Sequence, residues 1–184
     1  MFYLKSVMSV LEGNTREKRG SIGEEDVIIA LAYISRRRKL HYKIIRDLNI
    51  QSSSGKKAQI DLVYINNQGI FIIEVKNWTG YVMGSDSDDK WLRSVNRNGI
   101  NKKYEYNNPL KQNDYHIEIF KDVTKIYKNI HSLVVFSSNN ASRLKIQNVV
   151  NITGIPEYLN SIKVDESLKD KDIDDIYNAL TSIN

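Results

Sequence analysis

Residues 58–77 read AQIDLVYINNQGIFIIEVKN, a pattern that predicts two β-strands joined by a tight turn. Side chains along a strand alternate between the two faces of its sheet, so Glu74 and Lys76 share one face of the second strand. The apolar residues between them point to the opposite face. Both strands are nearly continuous in Ile, Val and Phe, which is typical of a buried central pair.

The turn sets the register of these two strands. A turn centred on Asn67 and Gln68 and a four-residue loop over 66–69 give the same pairing, which brings Asp61 opposite Glu74. Directly opposed side chains have Cβ atoms only about 5 Å apart, and like charges at that separation are destabilising. The sequence therefore requires something that compensates the two carboxylates.

A divalent cation, Mg²⁺ or Mn²⁺, would compensate them. Such hard cations take oxygen ligands, typically one or two carboxylates with water and substrate phosphate. Lys76 points into the same space, where an ammonium can position a metal-bound water or stabilise charge on a phosphate. The arrangement suits phosphodiester hydrolysis. The alternative is an ordinary solvated charged face, which the apolar character of both strands disfavours.

Composition sets broad limits on the protein class. A chain of 184 residues with 41% hydrophobic residues can bury the core of one domain. The absence of cysteine excludes disulfides and thiolate metal sites, and three scattered histidines disfavour a zinc site. Residues 1–15 fit a short amphipathic lead-in helix that is too short to span a membrane, so we expect a cytoplasmic protein with no membrane partner.

The charge balance points weakly to a polyanionic partner. The net charge is +5 and the pI is about 9.2. Alternatively, the lysines are simply solvated, and the RRRK run at 36–39 favours a helix C-terminus. The candidate nucleic-acid-binding lysines flank the predicted strands and are Lys56, Lys57, Lys102 and Lys103.

The remaining pattern predicts a helix, antiparallel strands, a second helix and further short elements. Ser21 is a candidate cap for the first helix, and Asn108 with Pro109 marks the start of the second, which should reach about Tyr127. An Asn-Gly turn at 98–99 indicates a hairpin within an extended meander. The predicted strands cover 43–48, 80–83, 91–95, 100–106, 132–137 and 148–152, and further short helices cover 156–162 and 168–183.

Five separated motifs occur in this framework. They are GSIGEE at 20–25, QID at 59–61, GIFIIEVKNWTG at 69–80, Trp91, and NPLKQNDYH at 108–116. The order of elements resembles the PD-(D/E)XK, or restriction-endonuclease-like, nuclease core, and the motifs together resemble the nuclease-related domain (NERD) family over about residues 16–140.

The resemblance implies an α/β fold, a restriction-endonuclease-like mixed sheet with an antiparallel hairpin core flanked by helices. Residues 1–15 would be an N-terminal helical lead-in and residues 16–140 the NERD nuclease-like core. Residues 141–184 would supply a C-terminal strand and helices that complete the same domain.

The resemblance also implies site residues. Asp61 and Glu74 match the metal-binding acids, with the Val75 carbonyl as a further ligand, and Lys76 matches the active-site lysine. The first acid follows Ile60 where the name of the motif has proline, a departure that leaves the metal geometry intact.

Two helices would complete this set. Glu24 matches the acidic residue of the first helix; Glu25 is its rival, and the two point about 100° apart. Gln112 matches a catalytic and substrate-binding glutamine, and His116, one turn further on the same helix face, would bind the substrate backbone with it. Without the family resemblance, Glu24 could simply interact with the helix dipole near the N-terminus. Gln112 and His116 could likewise be an exposed polar stripe.

The expected function is a Mg²⁺- or Mn²⁺-dependent nuclease acting on DNA, with RNA as an alternative substrate. The rival hypotheses are a catalytically weak or inactive nucleic-acid-binding module, and a protein-interaction domain that uses the acidic C-terminal helix. A homodimer is compatible with the sequence.

Overall fold

A computed structural model describes residues 16–138 and 140–184, so the helix predicted for residues 1–15 lies outside the described residues. Its elements, in chain order, are α1 (Arg16–Arg37), β1 (Tyr42–Gln51), β2 (Lys57–Asn66), β3 (Gly69–Lys76), β4 (Tyr81–Met83), β5 (Lys90–Arg97), β6 (Ile100–Asn107), α2 (Pro109–Thr124), β7 (Ile130–Phe136), β8 (Val149–Asn151), a 3₁₀ turn (Ile152–Gly154), α3 (Ile155–Ser161) and α4 (Asp170–Thr181).

The central sheet has five strands in the order β1-β2-β3-β7-β8. β1, β2 and β3 pair antiparallel, whereas β3-β7 and β7-β8 pair parallel, so the predicted α/β fold with a mixed sheet is confirmed. The strands predicted as a meander, β4 to β6, form a separate antiparallel sheet. Their sequence alternation does not reveal which sheet they join, because it marks only which residues share a face.

Helices cover both faces of the central sheet. α1 and α3 pack on one face, where Val27 and Leu31 meet Phe71 and Ile73. α2 and α4 pack on the other face against a second apolar cluster that contains Ile72. β3 is therefore buried on both sides, as its continuous apolar sequence predicts. Within the described part of the chain, no helix is both long and apolar enough to cross a membrane.

The hairpin register is confirmed by the pairs Ile65–Ile70 and Asn66–Gly69, which leave a two-residue turn. The expectation that Asp61 and Glu74 are directly paired was wrong. Backbone pairing of β2 with β3 stops at Leu62 and Ile73, one position before the two acids. Beyond that point, the Asp61 carboxylate takes the place of a backbone acceptor.

The first helix begins earlier than the sequence predicted. α1 already includes Arg16, so Ser21 lies inside the helix and is not its N-cap. The Ser21 hydroxyl instead accepts a hydrogen bond from Arg46 at 2.9 Å. The first residues of α1 are polar, so they show no apolar periodicity that would predict a helix, although several of them are strong helix formers.

Asn108 caps α2 as predicted, and it also fastens this helix to the second sheet. Its side-chain oxygen accepts from the Leu110 N–H at 2.9 Å. Its amide nitrogen donates to three carbonyls of the loop between β4 and β5, those of Ser85, Asp86 and Asp88. The buried Asn108 amide thus satisfies both the helix end and a loop.

We expect Asn108→Ala to lower the free energy of unfolding by roughly 1 to 3 kcal/mol, because it removes a helix cap and the hydrogen bonds from the Asn108 amide to the loop between β4 and β5. Asn108→Asp keeps the capping oxygen but cannot donate, so it should also be destabilised. Urea unfolding followed by circular dichroism measures both. If Asn108→Ala unfolded like the wild-type protein, Asn108 would not hold α2 to the second sheet.

Candidate functional site

The site lies where β2 and β3 separate. Asp61 Oδ2 accepts a hydrogen bond from the Val75 N–H at 2.8 Å. If the pairing of β2 with β3 continued, a backbone carbonyl of β2 would accept this hydrogen bond instead. Around Asp61 the side chains of β2 change face, because Ile60 belongs to the apolar cluster under α2 and Leu62 to the cluster under α1. Opposite Asp61, β1 is also irregular: Asp47 has a left-handed backbone with φ of 52°.

Glu74 is the most deeply buried charged residue of the site, with 2% of its side chain exposed. The Lys76 ammonium donates to its Oε1 atom. Its Oε2 atom is buried and has no hydrogen-bond partner. Burial removes the water that would hydrogen-bond to this oxygen, and no hydrogen bond from the protein replaces it. The oxygen is therefore available to a ligand.

Helix α2 contributes Gln112 and His116 on one face. Lys76 donates to Gln112 Oε1 at 3.1 Å, and His116 Nδ1 lies 3.5 Å from Glu74 Oε2. His116 is buried, and its Nδ1 atom has no hydrogen-bond partner. The alternative of an exposed polar stripe does not describe these residues, because Gln112 contacts Lys76 and His116 faces Glu74.

Asn113 holds α2 in this position. Its buried amide donates to the Ile72 carbonyl at 2.8 Å and to the Ser132 hydroxyl at 2.9 Å. These bonds connect α2 to both β3 and β7, next to the residues that face the acids. Sequence reasoning missed Asn113, although an asparagine inside an otherwise amphipathic helix is a signal for a buried polar contact.

Helix α1 brings Glu24, not Glu25, toward the acids. The Glu24 side chain is 14% exposed and raises the pKa of Asp61, whereas the Glu25 side chain is 64% exposed. Gly23 allows the close approach, because a Cβ there would lie 2.9 Å from Asn77 Cβ. Glu24 is also paired with Arg46 of β1 at 2.8 Å, a partner that sequence reasoning missed.

Burial dominates the electrostatics of the site. It raises the pKa of Asp61 to about 7, helped by the neighbouring Glu74 charge and opposed by the Val75 hydrogen bond. Burial also raises the pKa of Glu74, although Lys76 and Gln112 act in the opposite direction. Burial and then Lys76 lower the pKa of His116 to about 4, so its imidazole is neutral at pH 7.

Comparison with known families identifies the family of this chain. The family model described as nuclease-related domain, NERD, matches residues 19–137, more than half of the chain. The chain belongs to the NERD family. The match covers the helix with Glu24, the β2–β3 hairpin and the helix with Gln112. The NERD match confirms the family predicted from the sequence motifs.

An uncharacterized protein of Bacillus anthracis is 28% identical to this NERD chain over 110 residues. The alignment covers 60% of the chain and 49% of that relative, so the chain spans about half the length of the curated relative it matches. No solved structure gives a significant match.

The lysines expected to bind nucleic acid lie in two places on the NERD chain. Lys56 pairs with Glu118 of α2 at 3.0 Å, and the Lys57 carbonyl accepts from Tyr115 of the same helix. Lys102 and Lys103 are exposed on β6 of the second sheet, where they point to opposite faces. Their role in binding stays a prediction.

The donor set at Asp61 and Glu74 fits Mg²⁺ or Mn²⁺. It offers only oxygen atoms, and the unpartnered Glu74 Oε2 supplies a buried acceptor. Within a strand, the N–H and C=O of one residue point the same way, so the Val75 carbonyl faces the same side as Asp61. Among residues 16–138 and 140–184, no group of three or more His, Asp or Glu side chains could hold a metal ion, so water or substrate would complete the coordination.

The raised pKa of Asp61 predicts how Asp61→Asn changes the stability of metal-free protein. Above pH 4 the unfolded chain releases this proton, but the folded protein keeps it until about pH 7. The wild-type carboxyl therefore loses stabilisation as pH rises. We expect the stability advantage of Asp61→Asn over wild type to grow by about 2 kcal/mol or more between about pH 4 and pH 8, measured by urea unfolding in EDTA.

The comparison of two proteins at each pH is essential, because His116 acts in the opposite direction. Its lowered pKa makes stability rise with pH between about 4 and 6.5, equally in both proteins. A difference between Asp61→Asn and wild type that did not change with pH would contradict the raised pKa of Asp61.

Proposed function

We propose that this NERD domain hydrolyses phosphodiester bonds of DNA with Mg²⁺ or Mn²⁺ bound by Asp61, Glu74 and the Val75 carbonyl. The observation that supports this most strongly is the Glu74 carboxylate, which is buried and held by Lys76 on one oxygen, while its other oxygen faces His116 Nδ1 at 3.5 Å and accepts no hydrogen bond. A bound cation at this place would supply a Lewis acid and lower the pKa of a coordinated water.

The energetic cost of the arrangement favours a functional explanation. Burying a carboxylate costs several kcal/mol, and an ion pair often repays this incompletely. The pKa of the second acid, Asp61, is raised first by burial and then by repulsion from Glu74. Groups with strongly perturbed pKa values and specific charged partners are concentrated at functional sites.

The residues of the chain have separate roles in this proposal. The Lys76 ammonium would orient the attacking water and stabilise the negative charge that develops on the phosphate. Gln112 accepts from Lys76, which orients that ammonium. The neutral His116 imidazole contacts Glu74 and keeps α2 against the acids, while Glu24 adds negative charge at the same place.

Lys76 provides the first test. We expect Lys76→Arg and Lys76→Ala each to reduce cleavage roughly a hundredfold or more, the size typical for loss of one electrostatic catalytic group. Lys76→Arg keeps a cation beside the buried Glu74, so it should remain folded, but its planar fork replaces a compact ammonium. The assay compares linear, circular, single-stranded and double-stranded DNA with Mg²⁺, Mn²⁺ or EDTA.

Lys171→Ala is the matched control, because Lys171 also pairs with an acid but is 82% exposed on α4. It should cleave like wild type. Wild-type protein that binds DNA with Mn²⁺ present but shows no Lys76-dependent cleavage of any substrate would replace the nuclease proposal with the binding module.

Metal binding provides the second test. A cation that binds only the folded state stabilises it by about 2.7 kcal/mol at a concentration a hundredfold above Kd. We expect Mn²⁺ to raise the melting temperature of wild type, and Asp61→Asn or Glu74→Gln to abolish that rise. Asp175→Asn, at an exposed acid of α4, should keep it. Calorimetry that finds an unchanged Mn²⁺ response in both site variants would refute the metal site.

A further inference from the structure

The second sheet presents one face whose inner end reaches the candidate site. Opposed strand residues share a face, so Arg93 of β5 lies on the same side as Tyr104 of β6, and Trp91 on the same side as Tyr106. The inner end of this face is buried, because Trp91 stacks on Phe136 of the central sheet. The outer end faces solvent.

Four side chains form a continuous line on this face, which we call the aromatic–arginine strip: Trp78, Tyr106, Arg93 and Tyr104. The rings of Trp78 and Tyr106 have centroids 4.4 Å apart, and Arg93 donates to the Tyr106 hydroxyl at 3.2 Å. The Arg93 guanidinium lies 5.8 Å from the centre of the Tyr104 ring. At the inner end, the Lys76 ammonium lies 5.9 Å from the Trp78 ring.

Positive charge is concentrated on the two strands that carry most of the strip. β5 and β6 carry five basic residues and one acid, and that acid, Glu105, pairs with Lys90 at 3.5 Å. Among the described residues, no acid forms an ion pair with the other four basic side chains, which are Arg93, Arg97, Lys102 and Lys103. This local excess is nearly as large as the net charge of +5 of the whole chain.

The core does not require the outer part of this strip. Tyr104 is 41% exposed and belongs to none of the apolar clusters. An exposed ring beside an arginine can bind nucleic acid, because bases stack on aromatic rings and phosphates pair with basic groups.

We infer that the aromatic–arginine strip binds single-stranded nucleic acid and leads it to Lys76. This inference deepens the proposed nuclease function and rests on it for the role of the inner end. Unpaired bases have free faces that can stack on Tyr104, whereas a duplex keeps its bases stacked inside and offers mainly phosphates. The strip is therefore selective for a single strand and tolerant of its sequence.

The test measures binding without cleavage. Fluorescence anisotropy in EDTA compares labelled oligo-dT, oligo-U and a duplex of equal length, so that the DNA and RNA arms identify the preferred strand. We expect Tyr104→Ala to weaken single-strand binding about tenfold and to change duplex binding much less. Tyr104→Phe should bind within about twofold of wild type, because its ring is kept.

Tyr33→Ala is the matched control. Tyr33 is also an exposed tyrosine, 62% exposed, with Arg36 and Arg37 nearby in the sequence, but it lies on α1 and outside the strip. It should bind like wild type. The inference is overturned if wild type does not bind single strands, if Tyr104→Ala binds them like wild type, or if its duplex binding falls by the same factor.

Cleavage assays separate this inference from the proposed function. Lys76-dependent cleavage with unchanged binding by Tyr104→Ala would keep the nuclease and overturn the strip. Weakened binding by Tyr104→Ala without any Lys76-dependent cleavage would keep the strip as a single-strand binding surface and overturn the nuclease.

Discussion

The contact between Lys76 and the buried Glu74 is the interaction on which the rest of the site depends. A carboxylate this deeply buried is stable as an anion only if a cation or hydrogen-bond donors accompany it. β3 can hold both residues because it lies in the middle of the central sheet and is covered on both faces. The pairing leaves one oxygen of Glu74 unsatisfied, and the proposed metal binding requires that oxygen.

Two helices complete the site from different directions, and each is held by a specific contact. Asn113 ties α2 to β3 and β7, which keeps Gln112 beside Lys76. Gly23 lets α1 approach the end of β3 closely, which brings Glu24 near Asp61. The second sheet is joined to the same region by the capping asparagine of α2 and by the packing of Trp91 on Phe136. The site is thus positioned by packing over the whole domain.

Local sequence patterns determined much of this architecture. The two-residue turn after Asn66 sets the register of the hairpin, because only one pairing fits a turn of that length. Alternation along β3 places Glu74 and Lys76 on one face, and Asn108 with Pro109 marks the start of α2. These features depend on neighbouring residues, so they can be read before the fold is known.

Only the tertiary structure decided which distant groups meet. The choice of Glu24 over Glu25 follows from how α1 docks, and the partner of Glu24, Arg46, comes from another strand. Where β2 separates from β3, Asp61 accepts from the Val75 N–H, and its neighbours Ile60 and Leu62 pack into different apolar clusters. Sequence periodicity indicates which residues share a face, but it does not indicate how one element docks on another. Docking determines which groups are buried and paired, and burial in turn shifts their pKa values.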